Sequence, residues 1–245
     1  MSVLVITGGS RGIGRAVVLG AAARGWPIAF SYLNDTKAAE ATRDAARARG
    51  ATCEMVRGDA QDEAHLATLF DRATAMGPVT RCVVNAGIVG PVADLADMDT
   101  ARIRNLVDVN VTGALLTARE AARRMPVSRG GTGGAMVLLS SAAARIGSGH
   151  TFVDYAATKG AIDTLTRGLA IELAPSVRVN AVRPGIIETD IHAAAGLPDR
   201  AAELGPEQPL GRAGTAEETA AAILWLLSSD ASYVTGTHVD VAGGR

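Results

Sequence analysis

The sequence has few lysines, few aromatic residues and almost no cysteine, and the shortages narrow what the chain can be. Lysine occurs twice among 24 basic residues, at Lys37 and Lys159, so arginine carries nearly all the positive charge. With 25 acidic residues against those 24 the formal charge is −1, which leaves no basic excess to attract nucleic acid or an anionic membrane. The two cysteines, Cys53 and Cys82, lie in short apolar runs without CxxC or Cys/His spacing. They read as small buried hydrophobes, and no metal site is expected. No apolar run reaches the roughly 18 residues a membrane helix needs. The opening MSVLVITGG has neither a charged leader region nor a cleavage site and goes straight into a strand-like run. A soluble, cytoplasmic protein is the expectation.

Hydrophobic residues, by contrast, make up 48% of the 245 positions, enough for a sizeable core. They fall in apolar runs that alternate with helical segments from end to end. VLVIT (3–7), PIAFSY (27–32), TCEMVRGD (52–59), RCVVNAG (81–87), AMVLLSS (135–141), VRVNAVRPG (177–185) and HVDVAGG (238–244) read as strands. Helices are expected from the first glycine-rich turn to about Arg24, and over 36–49, 62–75, 100–125, 153–173 and 215–228. Strands apolar on successive residues and separated by helices predict a doubly wound parallel sheet covered on both faces. No linker or compositional shift divides the chain, so residues 1–245 read as one domain. SRGGTGG (128–134) is a surface loop, and there is no internal repeat.

VITGGSRGIGRAV sets Gly8, Gly12 and Gly14 between the first strand and the first helix. Glycines there permit a tight turn and let backbone N–H groups approach a pyrophosphate at a helix N-terminus. The spacing is G-x-x-x-G-x-G, and its place after the first strand of a βαβ unit gives it weight. An acid closing the second strand would bond the ribose 2′-hydroxyl of NAD. That strand instead closes on Ser31 and Tyr32. Asp35 falls in the following loop, where with Thr36 it suits a helix N-cap. With no acid to repel a 2′-phosphate, and Arg11 to pair with one, NADP(H) is favoured over NAD(H).

DYAATKGAID (154–163) holds the second lysine. Tyr155 and Lys159, four apart on one helix, share a face. Ile162, Leu165, Leu169 and Leu173 form an apolar stripe that anchors that helix to the sheet. A phenol with an ordinary pKa of about 10 becomes a usable acid–base when a fixed cation favours its phenolate. Taken alone, such a pair is more often an ordinary surface feature.

TGGSRGIG (7–14), GDA (58–60), NAG (85–87), VNVTG (109–113), LLSSAA (138–143), YAATK (155–159) and RPGIIET (183–189) occur together and in order. In these motifs, over nearly its whole length, the chain resembles the short-chain dehydrogenase/reductase family, in particular its 3-oxoacyl-carrier-protein reductase and sugar or ketone dehydrogenase group. The resemblance implies a seven-stranded sheet of order 3-2-1-4-5-6-7, which separates the strands of Cys53 and Cys82 by two others and argues against a disulfide. It implies a catalytic set of Asn110, Ser141, Tyr155 and Lys159. Tyr155 would be the general acid–base, Lys159 would lower its pKa and bond the cofactor ribose, Ser141 would hold the substrate carbonyl, and Asn110 would fix a water behind Lys159. The cofactor would lie against Gly8, Ser10, Arg11, Gly12, Ile13 and Gly14 of the turn and against Tyr32. Asp59 and Ala60 would meet its adenine, and Asn85, Ala86 and Gly87 would line it. Pro184, Gly185, Ile187 and Thr189 would position the carboxamide. A small carbonyl or alcohol substrate under a lid at about 186–214, and a homotetramer, complete the expectation.

Duller readings exist beside these. Ser140 and Ser141 could merely end a strand. Asn110 sits mid-helix, where asparagine has modest propensity. His150, His192 and His238 are acid–base candidates, of which His150 reads better as a solvated loop residue, and His65 belongs to an ordinary surface helix. The motif NNAG appears as Val84-Asn85-Ala86-Gly87, and the segment from Ser141 to Tyr155 is about one residue longer than the reductase subgroup suggests. A non-enzymatic NADP-binding sensor on the same fold is the rival from another class. It would have no need of the four catalytic residues together.

Overall fold

A computed structural model of the chain describes residues 2–245. Seven parallel strands run β1 (Val3–Ile6), β2 (Ile28–Tyr32), β3 (Cys53–Arg57), β4 (Val79–Val84), β5 (Gly134–Leu139), β6 (Val177–Pro184) and β7 (His238–Val241). They form one sheet in the order β3-β2-β1-β4-β5-β6-β7. Helices α1 (Gly12–Ala22), α2 (Thr36–Arg47), α3 (Glu63–Met76), α4 (Thr100–Val107), α5 (Gly113–Arg124), α6 (Ala143–Ile146), α7 (Val153–Glu172), α8 (Ile191–Ala194), α9 (Arg200–Leu204) and α10 (Ala216–Leu226) surround it.

β1 shows why its residues must be apolar on both faces. Val3, Leu4, Val5 and Ile6 are all fully buried, Leu4 and Ile6 in the core under α1 and α10, Val3 and Val5 in the opposite core under α3, α5 and α7. Side chains alternate across a strand, so a sheet covered twice needs continuous hydrophobicity. Cys53 and Cys82 are buried, free and on opposite faces, and burial pushes both thiols up to about 12. Asp35 caps α2 by accepting from the Ala38 N–H at 2.9 Å.

Three expectations need correction. The helix expected over 100–125 is two helices joined by a π-helical turn at Asp108–Thr112, and that turn carries Asn110. His65 is not a surface residue: it is 7% exposed, its ring packed where a Cβ on Gly58 would stand. Its neighbours in α3 are polar enough to suggest solvent, yet the close approach of the Gly58 backbone closes over it. The stretch 186–213, to which the sequence pattern assigns no helix or strand, contains the short helices α8 and α9. The side chain of His192 lies outside the described residues.

Every strand but β2 stops one to three residues short of its apolar run. The residues released there, Thr7, Asn85 and Ser141 among them, leave the ladder to form loops at one end of the sheet. Ligands bind open α/β sheets beyond those carboxyl ends.

Candidate active site

The glycine-rich turn is fastened to the neighbouring strand. Asn85 donates through Nδ2 to the carbonyls of Thr7 at 2.9 Å and Gly8 at 3.0 Å. The fully buried Thr7 hydroxyl accepts from the N–H groups of Asn85 at 3.1 Å and Ala86 at 3.2 Å. A Cβ on Gly14 would stand 2.0 Å from the Gly8 carbonyl oxygen, so only glycine fits there. Arg11, at the N-cap of α1, supplies no capping side chain, and the first turn of α1 has no acid. The first amides of α1 therefore keep their hydrogen-bonding capacity for an anion. A pyrophosphate fits this cradle.

Residues of the RPGIIET motif face the cradle across a cleft. Pro184, Gly185, Ile187 and Thr189 line it together with Ile13, Asn85 and Gly87. The Thr189 methyl lies 3.4 Å from where a Cβ on Gly12 would project. Tyr32 is packed into the core and has little surface to offer, whereas Leu33, Asn34 and Arg11 are exposed at the rim. Asp59 accepts from the Gln61 N–H at 3.0 Å, and Ala60 is nearly buried beside Gly113.

The same cleft brings Ser141, Tyr155 and Lys159 together. Lys159 is 5% exposed, and its ammonium donates to the Leu139 carbonyl at 2.7 Å and lies 5.5 Å from the centre of the Tyr155 ring. Burial pulls Lys159 down to about 8, opposed by the charge of Asp163 one turn further on. Burial pushes the Tyr155 phenol up to about 12, opposed by a hydrogen bond with the Ser141 side chain. In this environment burial outweighs the lowering expected from the lysine. Asp163 is itself held by Arg183 at 2.7 Å, with His238 at 3.6 Å.

Asn110 is buried and its amide is matched to one backbone position. It accepts from the Ile88 N–H at 2.8 Å and donates to the Ile88 carbonyl at 2.9 Å and to Thr158 Oγ1 at 3.1 Å. A Cβ on Gly87 would lie 3.2 Å from Asn110 Oδ1 and 3.6 Å from Lys159 Nζ, so Gly87 leaves open the space both groups face. The π-helical turn aims Asn110 at this point.

Several residues support the site through contacts that the sequence does not indicate. Ser140 donates to the Lys159 carbonyl at 3.2 Å, fixing the middle of α7 to the end of β5. Arg102 of α4 grips Asp154 in a fork, 2.8 Å from Nε and 3.3 Å from Nη2. Asp154 in turn accepts from the Tyr155 N–H at 2.8 Å. The start of the catalytic helix is thereby tied to α4 by a largely buried ion pair. His150 is exposed, pairs with Asp94 at 2.9 Å and adopts a positive φ of 60°.

Comparison with known proteins bears directly on this geometry. A family profile described as enoyl-(acyl carrier protein) reductase matches residues 8–245. The chain belongs to the short-chain dehydrogenase/reductase family. Short-chain dehydrogenases and reductases are oxidoreductases of hydroxyl/ketone pairs that use nicotinamide cofactors, and this chain is one of them. It is 43% identical over 247 residues to the uncharacterized oxidoreductase YgfF of Escherichia coli (strain K12), covering 100% of each chain. It is 39% identical to cis-4-hydroxycyclohexanecarboxylate dehydrogenase of Sinomonas cyclohexanicum, over 99% of this chain and 95% of that one. The crystal structure of a short-chain type dehydrogenase/reductase from Mycobacterium marinum superposes with a TM-score of 0.91 at 34% identity, covering 99% and 94% of the two chains.

Proposed function

We propose that the protein is an NADP(H)-dependent reductase of ketones, or equally a dehydrogenase of the corresponding secondary alcohols, built as a single domain. The convergence of Ser141, Tyr155 and the buried Lys159 in one cleft, with the Lys159 ammonium 5.5 Å from the centre of the Tyr155 ring, carries this reading. When bound, the nicotinamide supplies or accepts the hydride. Ser141 and Tyr155 offer two hydroxyls that can share one substrate oxygen, holding a carbonyl and favouring the negative charge that develops on it. A phenol near pKa 12 keeps its proton at neutral pH, so Tyr155 is set to give that proton to the carbonyl oxygen. The Lys159 ammonium lies close enough to favour the phenolate left behind. Asn110 is the positioning residue: through Thr158 and Ile88 it fixes the space beside Lys159 from which a water could return the proton.

The preference for NADP(H) is supported by the exposed Leu33 and Asn34 just after β2, where an acid would repel a 2′-phosphate, and by the exposed Arg11 of the glycine-rich turn. The segment 186–214 suits a lid over the cofactor and substrate. Exposed Leu115, Ile171 and Trp225 on α5, α7 and α10 are consistent with a homo-oligomer, for which the family suggests a tetramer. The family profile's description raises reduction of a carbon–carbon double bond as a second reading. The paired hydroxyls favour a carbonyl oxygen.

A spectrophotometric screen of NADPH oxidation discriminates these readings. The panel holds β-ketoacyl thioesters, sugars, quinones, simple ketones and an enoyl thioester. Turnover of ketones with none of the enoyl thioester is expected. Turnover of the enoyl thioester alone would favour the second reading, and NADPH binding without any turnover would leave only a cofactor sensor.

A further inference from the structure

The far end of the cleft from the glycine-rich turn is built from α9, the loop leading into α7, and the last residues of the chain. Two arginines, Arg200 and Arg245, both line the cleft that contains Tyr155. Arg200 is steadied over the Phe152 ring, 5.1 Å from its centre, and Phe152 precedes Tyr155 by one helical turn. Arg245 is not on a loose tail. Arg145 donates to its carbonyl, and its own N–H donates to Ala242 at 3.2 Å. The Gly243 carbonyl accepts from Leu210 at 3.1 Å, and Gly244, at φ 93°, packs so closely on Pro209 that a Cβ would stand 2.8 Å away.

The cleft itself offers the two cations no acidic side chain, although Arg245 also borders a second groove lined by Asp240 and Glu218. Among the described residues neither guanidinium makes a salt bridge, while the nearby Arg145 and Arg183 share Asp240 and Arg183 also holds Asp163. Glu203, one turn along α9, is the carboxylate whose charge reaches Arg200. Burial and the charge of Arg245 nevertheless hold Arg200 below the usual guanidinium range. Lys159 adds a third cation to the lining, which includes no aspartate or glutamate among the described residues. Like charges gathered in a partly desolvated cleft are unfavourable unless an anion joins them.

We propose that the substrate is an oxo- or hydroxy-carboxylate whose carboxylate, remote from the reacting carbon, is held between Arg200 and Arg245. Planar guanidinium forks match the geometry of a carboxylate, and the apolar Phe152, Ile146 and Ile186 that line the same cleft suit the hydrocarbon that joins the two ends. This assignment rests on the carbonyl-reductase reading above and narrows it from ketones in general to anionic ones.

Matched pairs test it: 4-oxopentanoate, 5-oxohexanoate and 6-oxoheptanoate, each against its methyl ester, with NADPH. For at least one chain length the acid is expected to exceed its ester in kcat/KM by about tenfold or more, from one charge-assisted hydrogen bond upward. That preference is expected to shrink as salt is raised. Arg200→Gln and Arg245→Gln are each expected to collapse the acid-to-ester ratio toward one, mainly through KM for the acid, with Arg200→Lys restoring part of it. A ratio captures the anion's own contribution even where a variant lowers both rates. Esters turned over as well as acids at every length, or ratios untouched in both Gln variants, would overturn the proposal while leaving the carbonyl-reductase reading standing. A protein that reduces neither acids nor esters nor any other ketone would instead remove the reading beneath it.

Discussion

Replacing Lys159 by methionine keeps the length of the side chain and removes its charge, with opposite consequences for fold and activity. The ammonium is 5% exposed, and burial lowers its pKa from the ordinary 10.5 to about 8. At about 1.4 kcal/mol for each tenfold in proton affinity, carrying that charge costs the fold on the order of 3 kcal/mol at neutral pH. Against this, the Leu139 carbonyl loses its partner at 2.7 Å, which costs about 1 kcal/mol or somewhat more. Lys159→Met should therefore be more stable than the wild type by about 2 kcal/mol at pH 7 while losing nearly all turnover. The folded chain binds this proton more weakly than the unfolded chain does, so wild-type stability rises between pH about 8 and 10.5. The advantage of the variant should vanish over the same interval. Urea denaturation without added cofactor, at pH 7 and pH 10, measures both effects. A Lys159→Met protein less stable than the wild type at pH 7, or a difference that does not change with pH, would refute this reasoning.

Removing one partner of the ion pair below Tyr155 strands the other in a buried site. Arg102→Ala should lower stability by about 3–5 kcal/mol in urea denaturation, and Arg102→Lys should recover only part of this because the fork is lost. Arg11→Ala should raise KM for NADPH by about tenfold or more, with little change for NADH, as expected for loss of one charge-assisted phosphate contact. Equal effects on the two cofactors in steady-state kinetics would argue against a 2′-phosphate at Arg11. Gly14→Ala drives a Cβ to within 2.0 Å of the Gly8 carbonyl oxygen, so NADPH binding should disappear in fluorescence titrations while circular dichroism still reports a folded chain.

How much of this could be read beforehand differs by element. Continuous apolar runs made the strands legible because a doubly covered sheet demands them, and the stripe of Ile162, Leu165, Leu169 and Leu173 does face the core beneath α7. The sheet order came from motif resemblance, since hydrophobic pattern says nothing about which parallel strand lies beside which. Most strands end before their apolar runs do, because residues such as Thr7, Asn85 and Ser141 continue the local pattern while leaving the ladder. The π-helical turn at Asn110 left no trace in periodicity, as one altered turn barely shifts the spacing of apolar residues. Arg102 and Asp154 are ordinary helix-surface types, and only tertiary packing of α4 on α7 makes them a buried pair. The burial of His65 escapes the helical pattern for a related reason: it depends on the backbone of Gly58, seven positions earlier and in the preceding loop. Arg200 and Arg245 are 45 positions apart and converge only through the packing of the last residues against Pro209 and Leu210.

The central claim is that the Tyr155 hydroxyl supplies the proton to a substrate oxygen. Tyr155→Phe removes that single atom from a ring whose packing is otherwise kept, so NADPH affinity and thermal stability should stay close to those of the wild type. Ketone reduction should fall by about 10²–10⁴-fold, the usual contribution of a positioned general acid. A Tyr155→Phe enzyme that binds NADPH normally and reduces ketones at near-wild-type kcat would contradict the claim.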